Sequence, residues 1–258
     1  MSKNELEVKK NTAVAIFDES AFDGMDIGNE DIVAAQYKMP LLKIVEPLSK
    51  ALIEGEALYI PGAAVGDIID TAVGEVVGKE IEFLPVKAVT LYIEKDGDDK
   101  TVAKHEDRAI LDKCAWRNEQ GKKKGTFLPN GNEIQETIYL YGINITSGGV
   151  WCAIPFNRGR LPAAQTILEK LRKQKMDNGN RAPFVYRVWD FKPKAVKSSD
   201  GKPFRTWEAQ PSMKLQERED GMVLFEEAKL LQEAMRDKKV ELDDHEDTVR
   251  QTETDVPF

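Results

Sequence analysis

Strand-like alternation along most of the chain, one switch to helical period between Leu161 and Leu171, and two more strand-like segments after it predict the fold class. That class is mainly β (α+β): an OB-like Greek-key barrel with an inserted helix, a C-terminal helix and a disordered acidic tail. The expected divisions are a partly ordered N-terminal arm over residues 1–35, an OB-like domain over 36–215, the C-terminal helix over 216–240 and the tail over 241–258.

Taken in order, the arm is polar, and acidic from Asp18 onward. Between Met39 and Leu48, dense apolar residues bracketed by Pro40 and Pro47 predict a short extended segment, because a residue before proline is pushed out of the α region. Gly62, Gly66, Gly74 and Gly78 punctuate a strand at GDIID and a turn at TAVGEVVG. Lys79 to Glu94 reads as the first long strand, with Pro85 predicting a break or a sheet edge. Asp96 to Asp112 reads as a loop or excursion. Residues 114–132 are too rich in Gly, Lys and Asn for a core.

Thr137 to Thr146 and Val150 to Phe156, joined by Ser147-Gly148-Gly149, make the clearest hairpin. Leu161, Ala164, Leu168 and Leu171 then recur at helical spacing, with Pro162 in the first turn and Gly179 beyond the end. The opposite face of that helix carries Lys170, Arg172, Lys173 and Lys175. Two strands follow, Phe184 to Phe191 and Phe204 to Ala209, separated by the turn-like KSSDGKP. A helix between the third and fourth strands is the OB order. Leu224, Ala228, Leu231 and Met235 define an amphipathic helix from Gly221 to Lys239. After Val240 come seven acids and one arginine, a composition with too little apolar surface to offset the entropy of ordering.

The chain has 258 residues, 41% of them hydrophobic, which is enough for a real core. No apolar run is long enough to span a membrane, and MSKNELEVKKN lacks the apolar stretch of a secretory signal, so a cytoplasmic protein is expected. Cys114 and Cys152 are far apart, and His105 and His245 are the only histidines. No disulfide framework, metal site or other cofactor is expected from such a set. Cys152 is expected in the core and Cys114 in a loop.

The formal net charge is -8, yet between Cys114 and Trp207 Lys and Arg outnumber Asp and Glu by more than two to one. All four tryptophans lie in the same stretch. Cations interleaved with aromatics suit single-stranded nucleic acid, where phosphates need charge and unstacked bases need flat faces. The domain over 36–215 is therefore read as nucleic-acid-binding, because binding depends on the field of a local patch and not on the net charge.

Arg187-Val188-Trp189 and Arg205-Thr206-Trp207 are both Arg-x-Trp, and period-two geometry puts Arg and Trp of each triplet on one face. In the hairpin the same rule sends Ile138, Leu140, Val150, Cys152 and Ile154 inward and leaves Tyr139, Tyr141 and Trp151 outside. The expected DNA-binding set is these five aromatics with Arg187 and Arg205, together with Trp116, Arg117, Lys122, Lys123, Lys124, Arg158, Arg160 and Lys192. The alternative is that the faces are reversed, or that the N-terminal segment covers this face and the tryptophans are core. The Lys122–Lys124 triplet between two glycines is no Walker loop, and Asp190-Phe191-Lys192 lacks a partner carboxylate, so no enzyme and no catalytic residue is expected.

The end of the chain, Asp255-Val256-Pro257-Phe258 after an acidic stretch, resembles the tip of bacterial single-stranded DNA-binding proteins. Phage single-stranded DNA-binding proteins with an OB-fold carry similar acidic tails, and MPLLKIVEPLS and PGAAVGDIIDTAVGEVVGKEIEFLPVK resemble phage proteins of that class. The resemblance implies coating and protection of single-stranded DNA during phage replication or recombination in the host cytoplasm. It further implies that Asp255, Val256, Pro257 and Phe258 recruit replication or recombination proteins. A tethered polyanion would also compete with DNA for a cationic groove. The rival readings are a strand-annealing recombination protein and a phage structural or scaffolding protein.

Overall fold

The computed structural model describes residues 37–119, 122–198, 201–237 and 239–242. The chain enters through β1 (Tyr37–Met39) and β2 (Leu42–Ile44). Next, β3 (Ile68–Asp70) and β4 (Glu75–Gly78) add to β2 as a small antiparallel sheet. Its turn is built by Asp70, whose carboxylate accepts from the backbone N–H groups of Ala72 (2.9 Å) and Val73 (3.3 Å). The long connection between β2 and β3 is held down by a small core of Val45, Ala51, Ile60 and Ile69.

The body follows: β5 (Ile81–Lys95), β6 (Thr101–His105), β7 (Ala115–Glu119), β8 (Lys122–Phe127), β9 (Glu133–Asn144) and β10 (Val150–Asn157). Helix α1 (Leu161–Lys173) precedes β11 (Arg187–Lys197) and β12 (Pro203–Lys214), and α2 (Gly221–Arg236) precedes β13 (Val240–Leu242). Five of these strands lie side by side in the order β10, β9, β5, β11, β12, each antiparallel to its neighbour. Third, second, first, fourth, fifth is the strand order of an OB-like Greek key, and α1 stands where that order puts a helix. The sheet curls without closing among the described residues: β10 and β12 do not pair, and α1 packs against both.

Pro85 does not break β5. It sits at a bulge, where Pro85 faces Gly142 and Lys87 faces Tyr141, so that one additional residue switches the strand's faces. Ile81 and Phe83 point into the barrel; beyond the bulge Ala88 does so, while Val89, Leu91 and Ile93 point the other way. Gly142 is required here, since a Cβ on it would lie 2.2 Å from the Leu84 carbonyl oxygen and 2.6 Å from Phe83 Cζ.

Both faces of the sheet are covered. The barrel interior is filled by Phe83, Ile138, Leu140, Ile154, Phe156, Phe191 and the apolar stripe of α1, with Cys152 fully buried among them. On the outer face, Leu224, Phe225, Ala228, Leu231 and Met235 of α2 pack over β5 and β9 together with Met39, Val240 and Leu242. Burying five such side chains contributes on the order of 10 kcal/mol as an upper estimate, so α2 is packed as a layer of the core.

Three expectations need correction. The stretch Asp96 to Asp112 is more than a loop, since β6 pairs with β5 and a 3-10 helix spans Arg108–Lys113. The carboxylate of Glu94 anchors this excursion, accepting from Asn132 Nδ2 (2.6 Å) and Asn130 Nδ2 (3.2 Å) and pairing with His105 Nε2 (2.9 Å). The expected disordered tail does not begin at residue 241, because Glu241 and Leu242 extend β13, which pairs in parallel with β1. Val150, expected inward, is exposed at the hairpin turn. The arm over 1–35 and the tail from 243 onward, including Asp255, Val256, Pro257 and Phe258, lie outside the described residues.

Candidate nucleic-acid interface

The five-aromatic stacking platform is not formed. Trp189 and Trp207 are 2% and 3% exposed, both inside the barrel, where Phe191 meets Trp207 edge-on at 6.1 Å between ring centroids. The strands that carry the two Arg-x-Trp triplets do pair, but Trp189 faces Pro211 and Trp207 faces Pro193, so the triplets are not opposite one another. The bulge beside the first triplet lies in β12, where Ser212 and Met213 stand against Val188 alone, and β11 keeps its alternation, with Val188 in the core under α2 and Trp189 in the barrel interior. Tyr139 and Tyr141 do point away from the barrel interior, as the alternation requires, but into the second core beneath α2. Trp151 is half-buried against that core and donates from Nε1 to Glu227 Oε2 of α2 (3.1 Å).

Three of the predicted arginines are tied into the protein. Arg160 Nη2 donates to Glu46 Oε1 (2.7 Å) and its Nε to the Arg205 carbonyl (2.9 Å), while the Arg205 backbone N–H donates to the same Glu46 oxygen (2.9 Å). This knot fastens the connection after β2 to β12. Arg187 Nη1 donates to the Ser212 carbonyl (2.9 Å). Arg158 is more exposed, with Asp99 Oδ1 at 3.5 Å and Glu133 Oε2 at 3.7 Å. The backbones of Trp116, Arg117 and Lys122–Lys124 form the β7–β8 hairpin, and their side chains lie outside the described residues.

What the fold does bring together is lysine. Lys192 and Lys194 stand two apart on β11, on the same face by strand alternation, and Lys192 is opposite Glu208 of β12. Lys194 Nζ donates to Glu208 Oε1 (2.8 Å). Lys170, on the outer face of α1, reaches the Ala209 carbonyl next door (3.0 Å). The Glu208 carboxyl is held below the usual carboxylate range mainly by the hydrogen bond from Lys194, which outweighs the opposing effect of burial, with the charges of Lys194, Lys192 and Lys170 adding to it in that order. Lys197 and Lys202 stand exposed at the tip of the same hairpin, Lys197 on the opposite strand face from Lys192 and Lys194. Three ammonium groups around one carboxylate leave an excess of charge and a surplus of N–H donors facing solvent, which suits a phosphate chain.

Of these lysines, only Lys192 is in the expected DNA-binding set, and Lys170 is read only as part of a charged helix face. For Lys194 the sequence holds a legible signal, Lys192-Pro193-Lys194 at strand spacing, while Lys197 and Lys202 flank the turn. Among the described residues, no helix is long and apolar enough to cross a membrane.

Fold and surface together define an OB-like, α-helix-backed β protein with a lysine-edged strand pair. The chain belongs to the family of the Pam3 phage gp34-like protein, whose model matches residues 8–241, and it is accordingly a phage protein. Comparison with curated proteins and with solved structures gave no match.

Proposed function

We propose that this phage protein binds single-stranded DNA without regard to sequence and without catalysis, in replication or recombination within the bacterial host cytoplasm. The observation that carries the reading is the cluster of Lys170, Lys192 and Lys194 around Glu208 on the edge of an OB-like barrel. Phosphates would replace Glu208 as the partner of these lysines, and the exposed Lys197 and Lys202 at the hairpin tip would add to the local positive field. Because Trp189 and Trp207 sit in the barrel core, base stacking contributes less than the charges, and affinity should be steeply salt-dependent. The acidic segment after Leu242 remains the proposed handle for partner proteins, through Asp255, Val256, Pro257 and Phe258.

Anisotropy of a labelled oligo-dT titrated with the protein at several salt concentrations tests this. Binding that weakens steeply with salt and is indifferent to base composition is expected; no binding at low salt refutes it. Acceleration of duplex formation by complementary oligonucleotides would instead mark an annealing protein.

A further inference from the structure

The connection after β2 and the turn after β3 enclose a groove of about 560 Å³, in the size range of built ligand sites. Its lining is mostly apolar and open to solvent: Leu48 is 93% exposed and Val73 66%, and Tyr59, also exposed, lines it with them. Lys43, Lys50 and Arg160 line it with Glu46, to which Arg160 is hydrogen-bonded, and Lys50, largely in solvent, has Glu56 Oε2 no nearer than 4.0 Å. An apolar floor with a cationic rim fits an acidic peptide that carries bulky apolar side chains.

We infer that the groove docks this chain's own acidic C-terminal segment, with Val256, Pro257 and Phe258 on the apolar floor and Asp255 toward Lys50. Three observations converge on that occupant. The composition matches, because Asp255-Val256-Pro257-Phe258 follows a run of acids. The direction matches: β13 runs parallel to β1, with Leu242 beside Met39, so the chain leaves β13 heading the way β1 leads into β2. The distance matches as well. Leu41, two residues beyond Met39, is hydrogen-bonded through its backbone to Thr71 of the groove, about 7 Å along extended chain. Twelve residues, 243–254, separate Leu242 from Asp255; a tether of that length reaches on the order of 20 Å, which would present the tip at roughly millimolar effective concentration. The N-terminal segment, also acidic, enters at Tyr37, the far end of β1. Docked in this way, the residues proposed to recruit partners are sheltered until a competing partner draws them out.

Hydrogen exchange on the full-length chain decides the matter. Phe258→Ser, and separately Leu48→Glu at an already exposed position, should each speed exchange in residues 46–60 and 71–74 several-fold. A labelled Thr252–Phe258 peptide should bind the Phe258→Ser chain roughly tenfold better than the unaltered chain, whose own tail competes, and should not bind the Leu48→Glu chain. Unchanged exchange in Phe258→Ser overturns the inference. So does protection that disappears on dilution, which would mean a second copy's tail, or protection lost in Phe17→Ser and not in Phe258→Ser. The groove shares no residue with the lysine cluster, and oligo-dT affinity is read separately, so the two readings fail independently.

Discussion

Replacing Lys192 and Lys194 together with glutamine removes two of the three cations that surround Glu208, at positions where side-chain loss opens no cavity. For single strands, each phosphate contact adds about 0.7 to the slope of log affinity against log salt, equivalent to about fivefold in affinity at 0.1 M salt. The double variant should therefore bind oligo-dT about 25-fold more weakly at that salt, with the slope reduced by about 1.4. Glu208→Gln supplies the opposite perturbation. It frees Lys194 from its 2.8 Å partner and should tighten binding by up to about fivefold, without lowering the slope. Anisotropy with a labelled oligo-dT over a salt series measures all three proteins. A slope unchanged by the lysine pair would refute the assignment of the cluster to phosphates, as would a Glu208→Gln chain that binds more weakly than the parent.

Gly142→Ala forces a Cβ to within 2.2 Å of a backbone oxygen, which no side-chain rotation relieves; chemical denaturation should show a loss at or above about 3 kcal/mol. Phe225→Ala in α2 empties a fully covered site between helix and sheet and should cost about 3–5 kcal/mol in the same measurement, whereas a removable lid would cost little. Acidification should loosen the excursion at Glu94. Hydrogen bonds from Asn132 and then His105 hold its pKa below the ordinary 4.5, so its stabilisation is complete above that value and is lost as pH falls through the lower folded-state value. The thermal-stability difference between the natural chain and Glu94→Gln should accordingly shrink on acidification below the ordinary carboxylate range.

The order of elements was legible because it is written in local periodicity. The hairpin of β9 and β10, the apolar stripe of α1 and that of α2 all announce themselves within a dozen residues. What covers the outer sheet face was not, since the covering helix lies some eighty residues after β9 in the chain. A sign of it was present. FLPVKAVTLYI and TIYLYGI are apolar at both parities, the mark of a strand buried on two sides, and such strands leave no face for Tyr139 or Tyr141 to present to bases. The bulge after Pro85 shifts alternation in β5 by one residue, whereas both Arg-x-Trp triplets keep theirs; the face of β11 and β12 that carries Trp189 and Trp207 is the barrel interior, the reverse of the one expected to be open. The lysine cluster depends on helix and hairpin meeting in space, which no spacing along the chain reveals.

The pairing of β1 with β13 joins positions about 200 residues apart. At roughly 5–20 residues per second of synthesis, Tyr37–Met39 waits some 10–40 s on the ribosome before its partner strand exists. During that interval the outer face of the sheet lacks both α2 and β13, and its tyrosines and leucines are bare. Assembly of this side of the molecule is thus tied to the last portion of the message, and a chain halted before codon 221 would display a broad apolar sheet face with nothing of its own to cover it.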